Sequence, residues 1–133
     1  MLIPTISYQG NCNDAITFYK DILGAEVRAI YYFRDAPPDH GMDESLPPDF
    51  VMHSEVVISD TLLYLTDGAA TPVSSESFCL SLSFDTEEEV ISLFNKIAKD
   101  GKVIEPPAKQ WWAALYSYVT DPFGLSWMIM TNE

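Results

Sequence analysis

The stretch Asn11-Cys12-Asn13-Asp14-Ala15-Ile16-Thr17-Phe18-Tyr19-Lys20-Asp21-Ile22-Leu23-Gly24 decides how this chain is read. Ala15, Ile16, Tyr19, Ile22 and Leu23 recur at helical spacing, behind a cap-prone start and ahead of a glycine, which predicts an amphipathic helix. A second helix is predicted by Val90, Ile91, Phe94, Ile97 and Ala98. Thr86 and Glu89 are spaced as a capping box at its start, and Gly101 suits a left-handed residue beyond its end. The two helices are one pattern used twice. A shift of 75 carries Ala15 to Val90, Ile16 to Ile91, Tyr19 to Phe94, Ile22 to Ile97 and Leu23 to Ala98.

The same shift lays strand Thr5–Tyr8, TISY, on residues 80–83, LSLS. A strand follows each helix, at 26–33 and at 102–105. Residues 56–60 lie on 117–121 at a shift of 61, and 63–65 lie on 127–129 at a shift of 64. The second hairpin is longer by Pro122-Phe123-Gly124, ordinary turn chemistry. Each half therefore reads β-α-β-β-β, and an internal repeat decides architecture more firmly than any single propensity. The prediction is one α+β domain over 1–133, with module one at 1–68, a linker at about 69–75 and module two at 76–133.

At 133 residues the chain has the length of one domain. Twenty acidic residues against seven basic ones leave a net charge of −13. Phosphate backbones and anionic lipid are bound chiefly through Lys and Arg, so nucleic acid and membrane are poor partners. Solubility alone would also account for the charge. Two distant cysteines, Cys12 and Cys79, make no disulfide framework and fit a reducing, cytoplasmic compartment. The N-terminus lacks the basic and apolar regions of a secretory signal, and no apolar run approaches the ~20 residues that span a bilayer. One stretch breaks the pattern: residues 35–50 carry four prolines and five acidic residues without periodicity, and read as a lid or arm.

Several segments together resemble the PhnB-like branch of the glyoxalase/bleomycin-resistance/dioxygenase (vicinal oxygen chelate) superfamily. They are Gly10-Asn11-Cys12 with Phe18-Tyr19-Lys20 and Leu23-Gly24-Ala25-Glu26, then Met52-His53-Ser54-Glu55, then Trp112, Tyr116 and Asp121-Pro122-Phe123-Gly124-Leu125-Ser126-Trp127. The resemblance implies two β-α-β-β-β modules curled around a cleft, a homodimer, and in many relatives a divalent metal held by His, Gln or Glu. Those ligands would come from the first and last strands of each module. The superfamily spans isomerases, dioxygenases, thiol transferases and drug-binding proteins, so fold alone does not name the activity.

The repeat tests the metal. Its equivalent positions are Pro4 and Cys79, 75 apart, and Tyr64 and Met128, 64 apart. Proline offers no ligating side chain, methionine is a poor donor for hard ions, and a catalytic site needs about three protein ligands. The superfamily metal is therefore expected to be lost. Cys79, Tyr64 and Met128 also have ordinary packing roles.

Strand alternation assigns Leu80, Leu82, Phe84, Leu63, Leu65, Leu125, Trp127 and Ile129 to the helix side. The cleft side then carries Cys79, Ser81, Ser83, Leu62, Tyr64, Thr66, Ser126, Met128 and Met130, a mixture suited to a small molecule. On the first strand this alternation puts Ile6 and Tyr8 toward the cleft. His53 and Glu55 share a face and make either an orienting pair or a plain surface pair. Trp111 and Trp112 fall on a loop before the second hairpin, and His40 lies in the acidic stretch. Neither a phosphate-binding glycine loop, a nucleophile elbow nor an HExxH motif is present.

The candidate ligand-binding residues are thus Tyr8, His53, Glu55, Tyr64, Cys79, Trp112, Tyr116 and Met128. The leading expectation is a metal-free small-molecule binding protein, dimerising through aromatics such as Trp111, Trp112, Tyr31, Tyr32 and Phe33. The alternative is a metal-dependent lyase, isomerase or dioxygenase with a displaced site built from His53, Glu55 and Tyr64. A protein–protein module is the third class.

Overall fold

The computed structural model describes residues 1–38, 45–74 and 77–132. Residues 39–44, the middle of the 35–50 stretch read as a lid or arm and including His40, lie outside the described residues. The chain divides into two units, Met1–Val73 and Ser74–Glu133. Each is a four-stranded mixed sheet with one helix on one side, and the order of elements is α+β throughout.

The first unit runs β1 (Thr5–Tyr8), α1 (Cys12–Leu23), β2 (Glu26–Tyr32), β3 (Val51–Ile58) and β4 (Thr61–Asp67), with sheet order β1-β4-β3-β2. A short 3-10 helix, Phe33–Asp35, follows β2. Gly24 ends α1 with φ 64°, the left-handed value that glycine adopts without strain. The start of α1 has no side-chain cap from Asn11. Asp67, from the far end of β4, takes that role, accepting the N–H of Gly10 at 2.7 Å and of Cys12 at 3.0 Å. Its other carboxylate oxygen accepts the N–H of Val51 at 2.9 Å, so the start of β3 is tied to the same buried group.

The second unit repeats the plan with β5 (Leu80–Phe84), α2 (Glu87–Ala98), β6 (Lys102–Gln110), β7 (Ala113–Thr120) and β8 (Ser126–Thr131), in sheet order β5-β8-β7-β6. Thr86 caps α2 by accepting the N–H of Glu89 at 3.2 Å, and its hydroxyl donates to the Glu89 carboxylate at 2.9 Å. Gly101 is not left-handed, against expectation. It is glycine because a Cβ there would overlap the Thr120 carbonyl oxygen and sit 2.7 Å from that of Ile97. β6 runs past the expected residue 105 to Gln110. It is an edge strand, and its register shifts between Glu105 and Ala108, where Pro106 and Pro107 stand. Trp111 and Trp112 are the two-residue connection of the β6–β7 hairpin itself.

In each unit the core lies between the helix and one sheet side. The buried stripe of α1 is Cys12, Ala15, Ile16 and Tyr19; that of α2 is Val90, Leu93, Phe94 and Ile97. Ile91, expected inside, is exposed, and Leu93 takes its place. The helix limits do match at a shift of 75, but the buried stripes match at 78, a turn further along (12 to 90 against 12 to 87). The core side of the sheets carries Ile6, Tyr8, Val56, Leu63 and Leu65 in the first unit, and Leu115, Val119, Trp127 and Ile129 in the second.

Register corrects the predicted strand alignment. Tyr64 pairs with Thr5 on one side and Glu55 on the other, while Met128 pairs with Ser81 and Tyr118. Taking Tyr64 on Met128 at a shift of 64, Thr5 lies on Ser81 at 76 and Glu55 on Tyr118 at 63. The shift of 75 on the first strands was one residue out, and the shift of 61 on the hairpins two. The equivalent serines agree: Ser54 donates to the Leu65 carbonyl at 2.6 Å, and Ser117 to that of Ile129 at 2.8 Å.

Candidate functional site

A one-residue slip exchanges the two faces of a strand, because side chains alternate with period two. Tyr8 is therefore not a cleft residue. It is 1 % exposed, on the helix side, and its hydroxyl meets that of Tyr19 on α1 at 2.9 Å. The open side of β1 instead carries Thr5 and Ser7, both exposed. Pro4 is displaced in the same way: it lies just before β1, and its carbonyl accepts the Tyr64 N–H at 3.0 Å.

On the open side of the first unit, adjacent strands bring four side chains together. Tyr31 on β2 pairs with His53 on β3, and the two rings lie within 14° of parallel, centroids 6.4 Å apart. The Tyr64 ring meets His53 edge-on at 4.7 Å. Glu55, two residues along β3 and directly opposite Tyr64, sets a carboxylate oxygen 3.7 Å from Nε2 of His53. Both His53 and Glu55 are half-buried. So His53, Glu55 and Tyr64 share one patch, and Tyr31 joins them. Sequence reading had Tyr31 only as an interface aromatic, because its partner across the sheet is set by β2–β3 register and not by spacing along the chain.

The open side of the second unit is softer. Ser81, Met128 and Tyr118 line up across three strands, as do Ser83, Met130 and Tyr116. Trp112 closes edge-on against Tyr116 at 4.9 Å, whereas Trp111 at the hairpin tip is 94 % exposed. Burial pushes the Tyr116 phenol above its ordinary value, and Glu105, Cys79 and Tyr118 act in the same direction. Cys79 itself lies just ahead of β5, half-buried.

By the repeat, His53 corresponds to Tyr116, Glu55 to Tyr118 and Tyr64 to Met128. Among the open-side positions that pair first with last strand are Thr5 with Tyr64 in one unit, and Ser81 with Met128 at the equivalent place in the other. Two hydroxyls, a phenol and a thioether do not fit a divalent ion that needs imidazole or carboxylate donors. Among the described residues no three His, Cys, Asp or Glu side chains converge to hold a metal.

A duplicated β-α-β-β-β unit, its sheet covered by a helix on one side and lined with aromatic and polar groups on the other, marks a class of small paired-module proteins. The chain belongs to the Glyoxalase/Bleomycin resistance protein/Dioxygenase superfamily, whose family model matches residues 4–129. It is 32 % identical over 138 residues to Protein YjdN of Escherichia coli (strain K12), covering 96 % of this chain and 92 % of that one. Protein PA1353 from Pseudomonas aeruginosa is similar in structure, with a TM-score of 0.82 at 30 % identity, covering 99 % and 97 % of the two chains. The putative 3-demethylubiquinone-9 3-methyltransferase, PhnB protein, from Bacillus cereus gives a TM-score of 0.82 at 19 % identity over 98 % of both chains, a likeness of fold. Among the described residues no helix is long and apolar enough to cross a membrane.

Proposed function

We propose that this protein binds a small molecule on the open sides of its sheets and does so without the divalent metal of many superfamily members. The observation that carries the reading is the donor set. Thr5, Tyr64, Ser81 and Met128, with Ser7, Thr66, Ser83 and Met130, occupy the open-side positions where first and last strands pair, and none is an imidazole or carboxylate. What remains on those sides is aromatic rings, methionines, serines and one His–Glu pair, the composition of an organic-ligand surface. The protein acts as a cytoplasmic homodimer in this reading, consistent with two free cysteines and a hairpin tip carrying the exposed Trp111.

Elemental analysis of the purified protein after mild chelation tests the metal-free part. The expected result is far less than one zinc, nickel, iron or manganese per chain. Stoichiometric metal that disappears on Tyr64→Phe or His53→Ala would overturn it and make the protein a metal-dependent lyase, isomerase or dioxygenase. Mass spectrometry of compounds released on denaturation tests ligand binding directly.

A further inference from the structure

The His53–Glu55 pair does not use up the Glu55 carboxylate. At 3.7 Å from Nε2 the nearer oxygen is beyond hydrogen-bond reach. Among the described residues no Lys or Arg lies within ion-pair distance of Glu55, and no donor hydrogen-bonds its side chain. This anion is half-buried beside three aromatic rings in two orientations: Tyr31 and His53 near-parallel, Tyr64 edge-on to His53. The phenol ring faces of Tyr31 and Tyr64 attract a cation through their quadrupole, most strongly where water is partly excluded. A carboxylate at the same spot adds a full opposite charge. The net charge of −13 draws cations toward the whole surface. The duplicated sheet makes the charge specific, since the equivalents of His53 and Glu55 in the second unit are the uncharged Tyr116 and Tyr118.

We propose that the open face of the first unit recognises a protonated or quaternary amine, its nitrogen opposite Glu55 and its alkyl groups against Tyr31, His53 and Tyr64. This names the ligand class for the small-molecule reading above and rests on it.

Three isosteric probes separate the two ideas: choline, its neutral carbon analogue 3,3-dimethylbutan-1-ol, and the anion 3,3-dimethylbutanoate. Each is titrated at matched ionic strength against protein labelled in its Tyr and His rings and followed by NMR. Choline should shift Tyr31, His53 and Tyr64 saturably, at least tenfold more tightly than the alcohol, with no response to the carboxylate. Glu55→Gln should weaken choline about tenfold and leave the alcohol unchanged, while Tyr64→Leu should weaken both, each variant keeping the wild-type backbone spectrum. If the alcohol or the carboxylate matches choline, or if Glu55→Gln binds choline as the wild type does, the cation proposal falls and small-molecule binding stands. If none of the three shifts any open-side ring, both readings fall.

Discussion

The carboxylate of Asp67 accepts the backbone N–H of Cys12 at 3.0 Å, although 55 positions separate the two residues. With Gly10 and Val51 also donating to it, one buried side chain fastens the start of α1, the loop before it and the start of β3 to the end of β4. Its negative charge lies where the unpaired N–H groups of a helix begin, the favourable end of the dipole.

Removing that carboxylate strands three donors. Asp67→Ala is expected to lower stability by about 3 kcal/mol or more, because a buried unsatisfied donor costs about 1–3 kcal/mol. Asp67→Asn should lose less, since an amide oxygen still accepts but carries no charge. Urea unfolding of the two variants beside the wild type measures this. A loss under about 1 kcal/mol for Asp67→Ala would show that water takes over the site.

Tyr8 offers a test of which face it occupies. The Tyr8–Tyr19 hydroxyl contact joins β1 to α1 within the core. Tyr8→Phe should therefore cost about 1 kcal/mol of stability and leave binding of an open-side probe unchanged. Weaker binding at unchanged stability would return Tyr8 to the ligand surface.

Gly24 and Gly101 are glycines for different reasons, and alanine distinguishes them. At Gly24 a Cβ meets nothing within 4 Å, so Gly24→Ala suffers only the left-handed backbone, about 1 kcal/mol. At Gly101 the Cβ would overlap the Thr120 carbonyl, forcing the end of α2 away from β7. Gly101→Ala should be the more damaging by a clear margin in thermal unfolding. The reverse order would mean that the α2–β6 corner yields readily.

Alkaline pH should weaken the first unit through Cys12. Burial, reinforced by the Asp67 carboxylate, pushes this thiol well above its ordinary value of 9.0. Above pH 9 the unfolded chain releases the thiol proton while the folded protein keeps it. Stability that is fully present below about pH 9 is then lost as pH rises, by about 1.4 kcal/mol per unit from this group alone. Other groups titrate in the same range, so the measurement is the difference in slope between wild type and Cys12→Ala in urea midpoints from about pH 8 to 10.5. Parallel slopes would show that Cys12 does not contribute.

Much was legible along the chain where the information is local. The limits of both helices, the apolar side of β4 and β8 and the turn at Asp121-Pro122-Phe123-Gly124 follow from spacing and turn chemistry within a few residues. Asp121 then adds what spacing does not show: it accepts the N–H groups of Phe123 and Leu125 and the Trp127 indole N–H at 2.9 Å, tying the turn to the core. Ile91 and Leu93 are both apolar and each is next to a buried residue of α2, Val90 or Phe94, so spacing admits either, and only the packed sheet decides which faces it.

By itself, then, the sequence determined the duplicated β-α-β-β-β order, the helix-forming segments and the family to which they belong. The tertiary structure decided register. Thr5 and Ser7 against Ile6 and Tyr8 is a two-way choice that local pattern left balanced, and it was settled when β1 paired with β4 and buried Ile6 and Tyr8 under α1. The Tyr31–His53–Glu55–Tyr64 patch has the same origin. Its members come from three strands whose neighbours are chosen by long-range hydrogen bonds and core packing, contacts between segments far apart in the chain that no periodicity along it records.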